Sequence, residues 1–90
     1  MPVSKTLNSK NRKTLEFIFE EPIRADVEWK SIEGLFMALG AEVTEGKGSR
    51  VRVALNSRKA IFHRPHPQKE TDKGALKSVR RFLIEAGISV

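Results

Sequence analysis

Cysteine is absent from the 90 residues. That excludes a disulfide framework and every cysteine-ligated zinc site, and it is compatible with a reducing compartment. No apolar run approaches the roughly 18 residues a membrane span needs. The N-terminus lacks the apolar stretch of a secretion signal. A soluble, cytoplasmic chain with no membrane contact is therefore expected. Acidic side chains are in the minority, 11 Asp and Glu against 17 Lys and Arg, which leaves a net charge of +6. On so small a chain that balance points to a polyanion or an acidic protein as partner. What is present is enough for one modest core: 39% of residues are hydrophobic, including five Phe and one Trp. A chain of this length has room for a single domain, 1–90.

Residues 1–7 carry little pattern and read as a flexible arm. Asn8 or Ser9 can cap a helix running to about Glu20, with Leu15, Ile18 and Phe19 on one face. Lys10, Arg12 and Lys13 crowd its first turn, where they oppose the helix dipole. Pro22 stops it, so residues 8–21 form an N-terminal helical segment. A second helix starts near Trp29. Ile32, Leu35, Phe36 and Leu39 then follow at i, i+3, i+4 and i+7, and Gly40 ends the helix as its C′ residue. Trp29 lies one turn before Ile32 and reads as core, with a base-stacking platform as the alternative.

The centre of the chain reads as a hairpin. Ala41 to Thr44 is a short first strand, and Gly46-Lys47-Gly48-Ser49 is a tight connection. Its glycines allow positive φ and close approach of backbone to a phosphate. Successive N–H groups in such turns make anion nests, although many Gly-Lys-Gly turns bind nothing. Val51, Val53 and Leu55 alternate with Arg50, Arg52 and Ala54, so the arginines share the face opposite the apolar three. Asn56-Ser57 is the turn, and Ala60 to Arg64 the return strand. Thr71 or Asp72 caps a third helix ending near Ala86, with Gly87 as C′ and Leu76, Val79, Phe82, Leu83 and Ala86 as its buried stripe. Lys69, Lys73 and Lys77 surround its N-terminus, a ready anion site. The expected fold is α+β, in the order α-α-β-β-β-α. Helices cover one face of a three-stranded antiparallel sheet and leave the basic face wet.

Two side chains are suited to proton transfer near neutrality, His63 and His66. Each can equally be structural, donating to a loop carbonyl. Alternation puts His63 opposite Phe62 without saying which of the two faces is exposed. A metal site combining the pair with Glu70 or Asp72 lacks ligand spacing, so no metal is expected; no cofactor is implied.

These residues resemble the HicA toxins. The likeness is carried by Leu39-Gly40-Ala41, Gly48-Ser49, His66-Pro67, Lys69-Glu70, Lys73-Gly74 and Ala86-Gly87-Ile88, in that order and spacing, from Ile32 to Ile88. The resemblance implies a double-stranded-RNA-binding-like fold and an endoribonuclease that cleaves mRNA. It also implies a toxin that is a monomer alone and is held inactive in a hetero-oligomer with a HicB-like antitoxin. The segment 8–21 is then an added N-terminal helix. One departure matters. The family's catalytic histidine stands in Gly-Ser-His, and here the sequence is Gly48-Ser49-Arg50. A guanidinium stays protonated and cannot be the base; it can anchor a phosphate and stabilise charge building on it. Proton transfer then falls to His66 or His63, with Lys47, Gly48, Ser49, Arg50, Arg52, Lys69, Lys73 and Lys77 holding RNA. Three functions fit: an endoribonuclease, an RNA-binding module that cleaves poorly, and a protein whose basic face docks an antitoxin.

Overall fold

The computed structural model describes residues 7–90. It runs through α1 (Ser9–Ile18), α2 (Trp29–Ala38), β1 (Glu42–Glu45), β2 (Arg50–Leu55), β3 (Arg58–His63) and α3 (Lys73–Glu85). Most of the arm expected at residues 1–7 lies outside the described residues. Leu7 is inside them and is buried in the core. Among the described residues no helix is long and apolar enough to cross a membrane.

Asn8 caps α1 through its side chain, which accepts from the Asn11 N–H at 2.8 Å. The helix ends at Ile18, short of the expected Glu20, with Phe19 as C-cap. Arg80 of α3 satisfies the carbonyls left over there. Its Nε donates to the Ile18 carbonyl and its Nη2 to the Glu20 carbonyl, both at 2.9 Å. Its remaining nitrogen pairs with Glu21. Leu15 and Ile18 are wholly buried, and α1 packs against both α2 and α3. The N-terminal helix is therefore part of the core.

Trp29, Ile32, Leu35 and Phe36 are the buried stripe of α2. Gly40 and Gly87 follow α2 and α3 with φ of 89° and 82°, as C′ residues do. The Ala41 N–H donates back to the Phe36 carbonyl at 2.9 Å. That bond keeps Ala41 in the helix cap, so β1 begins one residue later than the apolar pattern suggests. Asp72 caps α3, accepting from the Ala75 N–H at 2.7 Å. Thr71 beside it is buried and its hydroxyl has no partner among the described residues.

The sheet has the order β1-β2-β3 and is antiparallel throughout. Val51, Val53 and Leu55 of β2 and Phe62 of β3 are buried against the helices. Four aromatic rings join the layers: Phe62 lies 5.6 Å from Trp29 and 5.8 Å from both Phe36 and Phe82, centroid to centroid. Such pairs add about 0.5–1.5 kcal/mol each beyond their buried area. Trp29 is thus core and not a base-stacking platform. The β2–β3 turn is Asn56-Ser57, with φ of 51° and 69°, the doubly left-handed geometry that matches the twist of a two-residue hairpin. With so short a turn Leu55 pairs with Arg58 at once, and β3 starts two residues earlier than expected.

Two stability changes follow. Ile18→Ala should cost about 2–5 kcal/mol in denaturant unfolding, as for other fully buried truncations; a surface helix would lose almost nothing. Ser57→Gly should raise stability by about 0.5–1 kcal/mol. It relieves about 1–2 kcal/mol of left-handed strain at Ser57 and gives back part of that through glycine's unfolded-state entropy.

Candidate nucleic-acid interface

The ladder decides which side chains share the open face of the sheet. Residues directly opposite in an antiparallel pair point the same way. Arg52 of β2 is opposite Thr44 of β1 and Ile61 of β3; Ala54 is opposite Glu42 and Lys59. Arg50 is opposite His63. The Arg64 N–H donates to the Ser49 carbonyl at 2.9 Å just beyond this pair. Arg50 and His63 are therefore a non-hydrogen-bonded pair, the class in which Cα atoms approach to about 4.5 Å and side chains lie closest. Both are exposed. Down the same face a shallow cavity of about 520 Å³ is lined by Glu42, Thr44, Arg52, Ala54, Lys59 and Ile61, among others.

The β1–β2 turn closes the end of the face where Arg50 stands. The Gly46 N–H donates to the Arg50 carbonyl at 2.9 Å, and the Arg50 N–H to the Lys47 carbonyl at 3.2 Å. A Cβ on Gly46 would come within 3.1 Å of the Arg50 Cβ, and Gly48 has a φ of 64°. The two glycines thus have different causes, a close approach and a left-handed backbone. Lys47, Gly48 and Ser49 are exposed beside Arg50.

His66 is elsewhere. It lies in the loop after β3, also exposed, and that loop is stitched to the chain ahead of α2. The Trp29 N–H donates to the Lys69 carbonyl at 3.0 Å, the Thr71 N–H to the Val27 carbonyl at 2.8 Å, and Glu28 bridges Glu70. Lys69 shares a cavity with Trp29, Lys30, Arg64 and Pro67. Lys77 shares a different one, beside β3, with Lys59 and Arg81, and Lys73 is one turn before it on α3. Of the residues expected to form the site, the fold gathers Lys47, Gly48, Ser49, Arg50, Arg52 and His63 on or beside the open sheet face. Lys77 flanks its β3 edge, and Lys69 and His66 belong to the loop. No group of three metal-ligating side chains forms among the described residues, so His63, His66, Glu70 and Asp72 are not drawn together.

Arginines divide into two classes. Arg24, Arg64 and Arg80 are ion-paired. Arg50, Arg52, Arg58 and Arg81 form no ion pair among the described residues, nor do Lys47, Lys59 and Lys77. A free cation row is the electrostatic footprint of a polyanion site. Sequence reading missed Lys59 and Arg81. Alternation back from Phe62 puts Lys59 on the face of His63, so that signal was present.

Arg64 was also missed, and nothing in its neighbours announces it. Its Nε bonds Glu33 of α2 at 2.6 Å and its Nη1 bonds Glu45 of β1 at 2.7 Å. Glu33 also accepts from the Trp29 indole N–H. The residue directly after His63 therefore ties the end of β3 to β1 and α2. The Arg64 guanidinium holds the Glu45 carboxyl below the usual carboxylate range, by hydrogen bonding first and charge second. The two carboxylates in turn hold the Arg64 proton more tightly than usual.

A family model described as the HicA toxin of bacterial toxin–antitoxin systems matches residues 29–88. The chain belongs to the HicA toxin family. The match runs from the first residue of α2 past the end of α3 and leaves α1 outside. Membership implies an antitoxin partner for this HicA chain. No curated protein and no solved structure matches it significantly.

The Arg64 clamp sets an acid dependence. Glu45 has a folded pKa below its unfolded value near 4.3. Its contribution is present above about pH 4.3 and is lost as pH falls through the lower folded value. Unfolding midpoints measured from pH 6 down to pH 3 should drop below about pH 4, and drop less steeply in Glu45→Gln. Parallel curves for the two proteins would count against the clamp.

Proposed function

We propose that this HicA chain is an endoribonuclease that binds and cleaves mRNA in the cytoplasm, inhibiting translation and growth, and that a HicB-like antitoxin holds it inactive. The observation carrying the reading is the pairing of His63 with Arg50 across the hairpin. The family's histidine position is occupied by Arg50, and an imidazole faces it from the next strand. The chemistry needs a base and a cationic anchor within one nucleotide's reach, and this pair supplies both.

The steps follow from the side chains. Phosphates lie along Lys47, Arg50 and Arg52, with the Gly48–Ser49 turn against the backbone; Lys69, Lys73 and Lys77 extend the track. His63 takes the proton of a 2′-OH. That oxygen attacks the adjacent phosphorus, and the bond to the 5′-oxygen breaks. A 2′,3′-cyclic phosphate remains on one product. The 5′-oxygen leaves with a proton from water, which the open face admits. Arg50 stays charged throughout and offsets the negative charge that builds on the phosphoryl oxygens. The attacking group is the substrate's own hydroxyl, so no metal is required. His66 is the second candidate for proton transfer.

A second reading is favoured by Arg50 itself: a module that binds RNA without cutting it. Purified chain freed of any partner, incubated with a long mRNA in EDTA, separates the two. Cleavage is expected, falling by about 10²–10⁴ in His63→Ala and changing little in His66→Ala. Arg50→Ala should lose both binding and rate. Undiminished cleavage by His63→Ala would overturn the assignment. Intact RNA with a gel shift that fades steeply with salt would leave the binding module.

A further inference from the structure

We infer that the free edge of β3 is a strand-addition site for an acidic, extended segment of the antitoxin. The inference rests on the family's implied partner and not on RNA cleavage. β3 ends the sheet, so one of its sides pairs with nothing among the described residues. The register is fixed by the two-residue turn, and Leu55–Arg58 is its closing hydrogen-bonded pair. Arg58, Ala60 and Phe62 therefore direct their N–H and C=O groups at β2. Lys59, Ile61 and His63 direct theirs outward. A row of such groups is a template for another strand.

Beside that edge runs a groove of about 360 Å³ between β3 and α3, with Ile61 and Phe82 among its apolar lining and Lys59, Lys77 and Arg81 as its cations. None of the three cations is ion-paired among the described residues, and Glu85 is the one acid lining the groove. Ile61 is 59% exposed and offers apolar surface to an added strand. Charge selects the occupant. A second β3 paired antiparallel about Ile61 would set Arg58 against Arg64 and Lys59 against His63, with no carboxylate among them, so self-pairing of this edge is disfavoured. An acidic strand meets three unpaired cations and an apolar residue to cover. Since the added strand would lie beside His63, whose side chain is on the open face, it would also close off the Arg50–His63 pair. Inhibition then follows from backbone pairing at the edge.

The probe is an end-capped peptide of alternating glutamate and valine, matched in length to β3, with a lysine–valine peptide as control. Amide hydrogen exchange by NMR and fluorescence anisotropy are read on the full chain. The glutamate peptide should protect the Lys59, Ile61 and His63 amides and bind at least about tenfold more tightly than the lysine peptide. Ile61→Pro should weaken it about tenfold, because proline removes the central outward N–H and touches no β2–β3 bond. Retained exchange protection along β2 would report that this variant is folded. Equal affinity for the two peptides, or binding without protection of those amides, would overturn the inference. So would protection that grows with protein concentration alone, which would mean a second copy, or the same protection given by a single-stranded RNA. Protection and binding with RNA cleavage unaffected would leave the edge site standing and count against His63 as the base.

Discussion

Two residues with positive φ, Asn56 and Ser57, set the register of β2 against β3, and the faces of the sheet follow from that register. A slip of one residue would turn Val51, Val53 and Phe62 to water and drive Arg50 and His63 into the core. Two contacts secure the arrangement at opposite ends of the hairpin. At the turn the Asn56 side chain donates to the Ala86 carbonyl at 2.8 Å, where α3 ends. At the far end the Arg64 backbone bonds Ser49 and its guanidinium bonds Glu33 and Glu45. Between them Phe62 sits among Trp29, Phe36 and Phe82, so a shifted strand would lose its apolar anchor as well.

The charge of the molecule is sorted by the same fold. Arginines that hold elements together have partners. Arg80 joins α3 to the end of α1, Arg64 joins β3 to α2 and β1, and Arg24 bonds Glu20 and Asp26 while stacking 4.0 Å from the Phe17 ring. Cations on the open face and along the β3 edge have none among the described residues. Leaving exposed cations unpaired costs little in water, and it keeps them available to a phosphate chain or an acidic strand. Part of the +6 excess therefore lies where a polyanion or a carboxylate-rich segment can use it.

The HicA match begins at α2, yet the core does not. Leu15 and Ile18 are as fully buried as any side chain of α2 or α3. Arg80, inside the matched region, spends two donors on carbonyls at the end of α1 and past it. A helix outside the family's shared portion has thus become structural in this chain. The basic first turn of α1 is at its far end from those contacts, and Lys10, Arg12 and Lys13 are exposed there.

Local patterns determined much of this protein. Spacing of three and four marked α2 and α3, alternation marked β2, and Asn8, Asp72, Gly40 and Gly87 marked helix ends, because each is dictated by backbone geometry within a few residues. The open basic face followed from the same alternation. Boundaries moved where a distant group intervened: Ala41 is held by the α2 cap, and the end of α1 is completed by Arg80. What tertiary structure alone decided is who meets whom. Thirteen positions separate Arg50 from His63, and only the ladder makes them neighbours. His66, three residues further on and embedded in the likeness to the family, is carried off the sheet by the loop after β3. Arg64 had no pattern around it; its partners Glu33 and Glu45 come from two other elements. Sequence periodicity reports the face a residue shares with its own strand or helix. Contacts between elements depend on how the faces pack, and that is a property of the whole core.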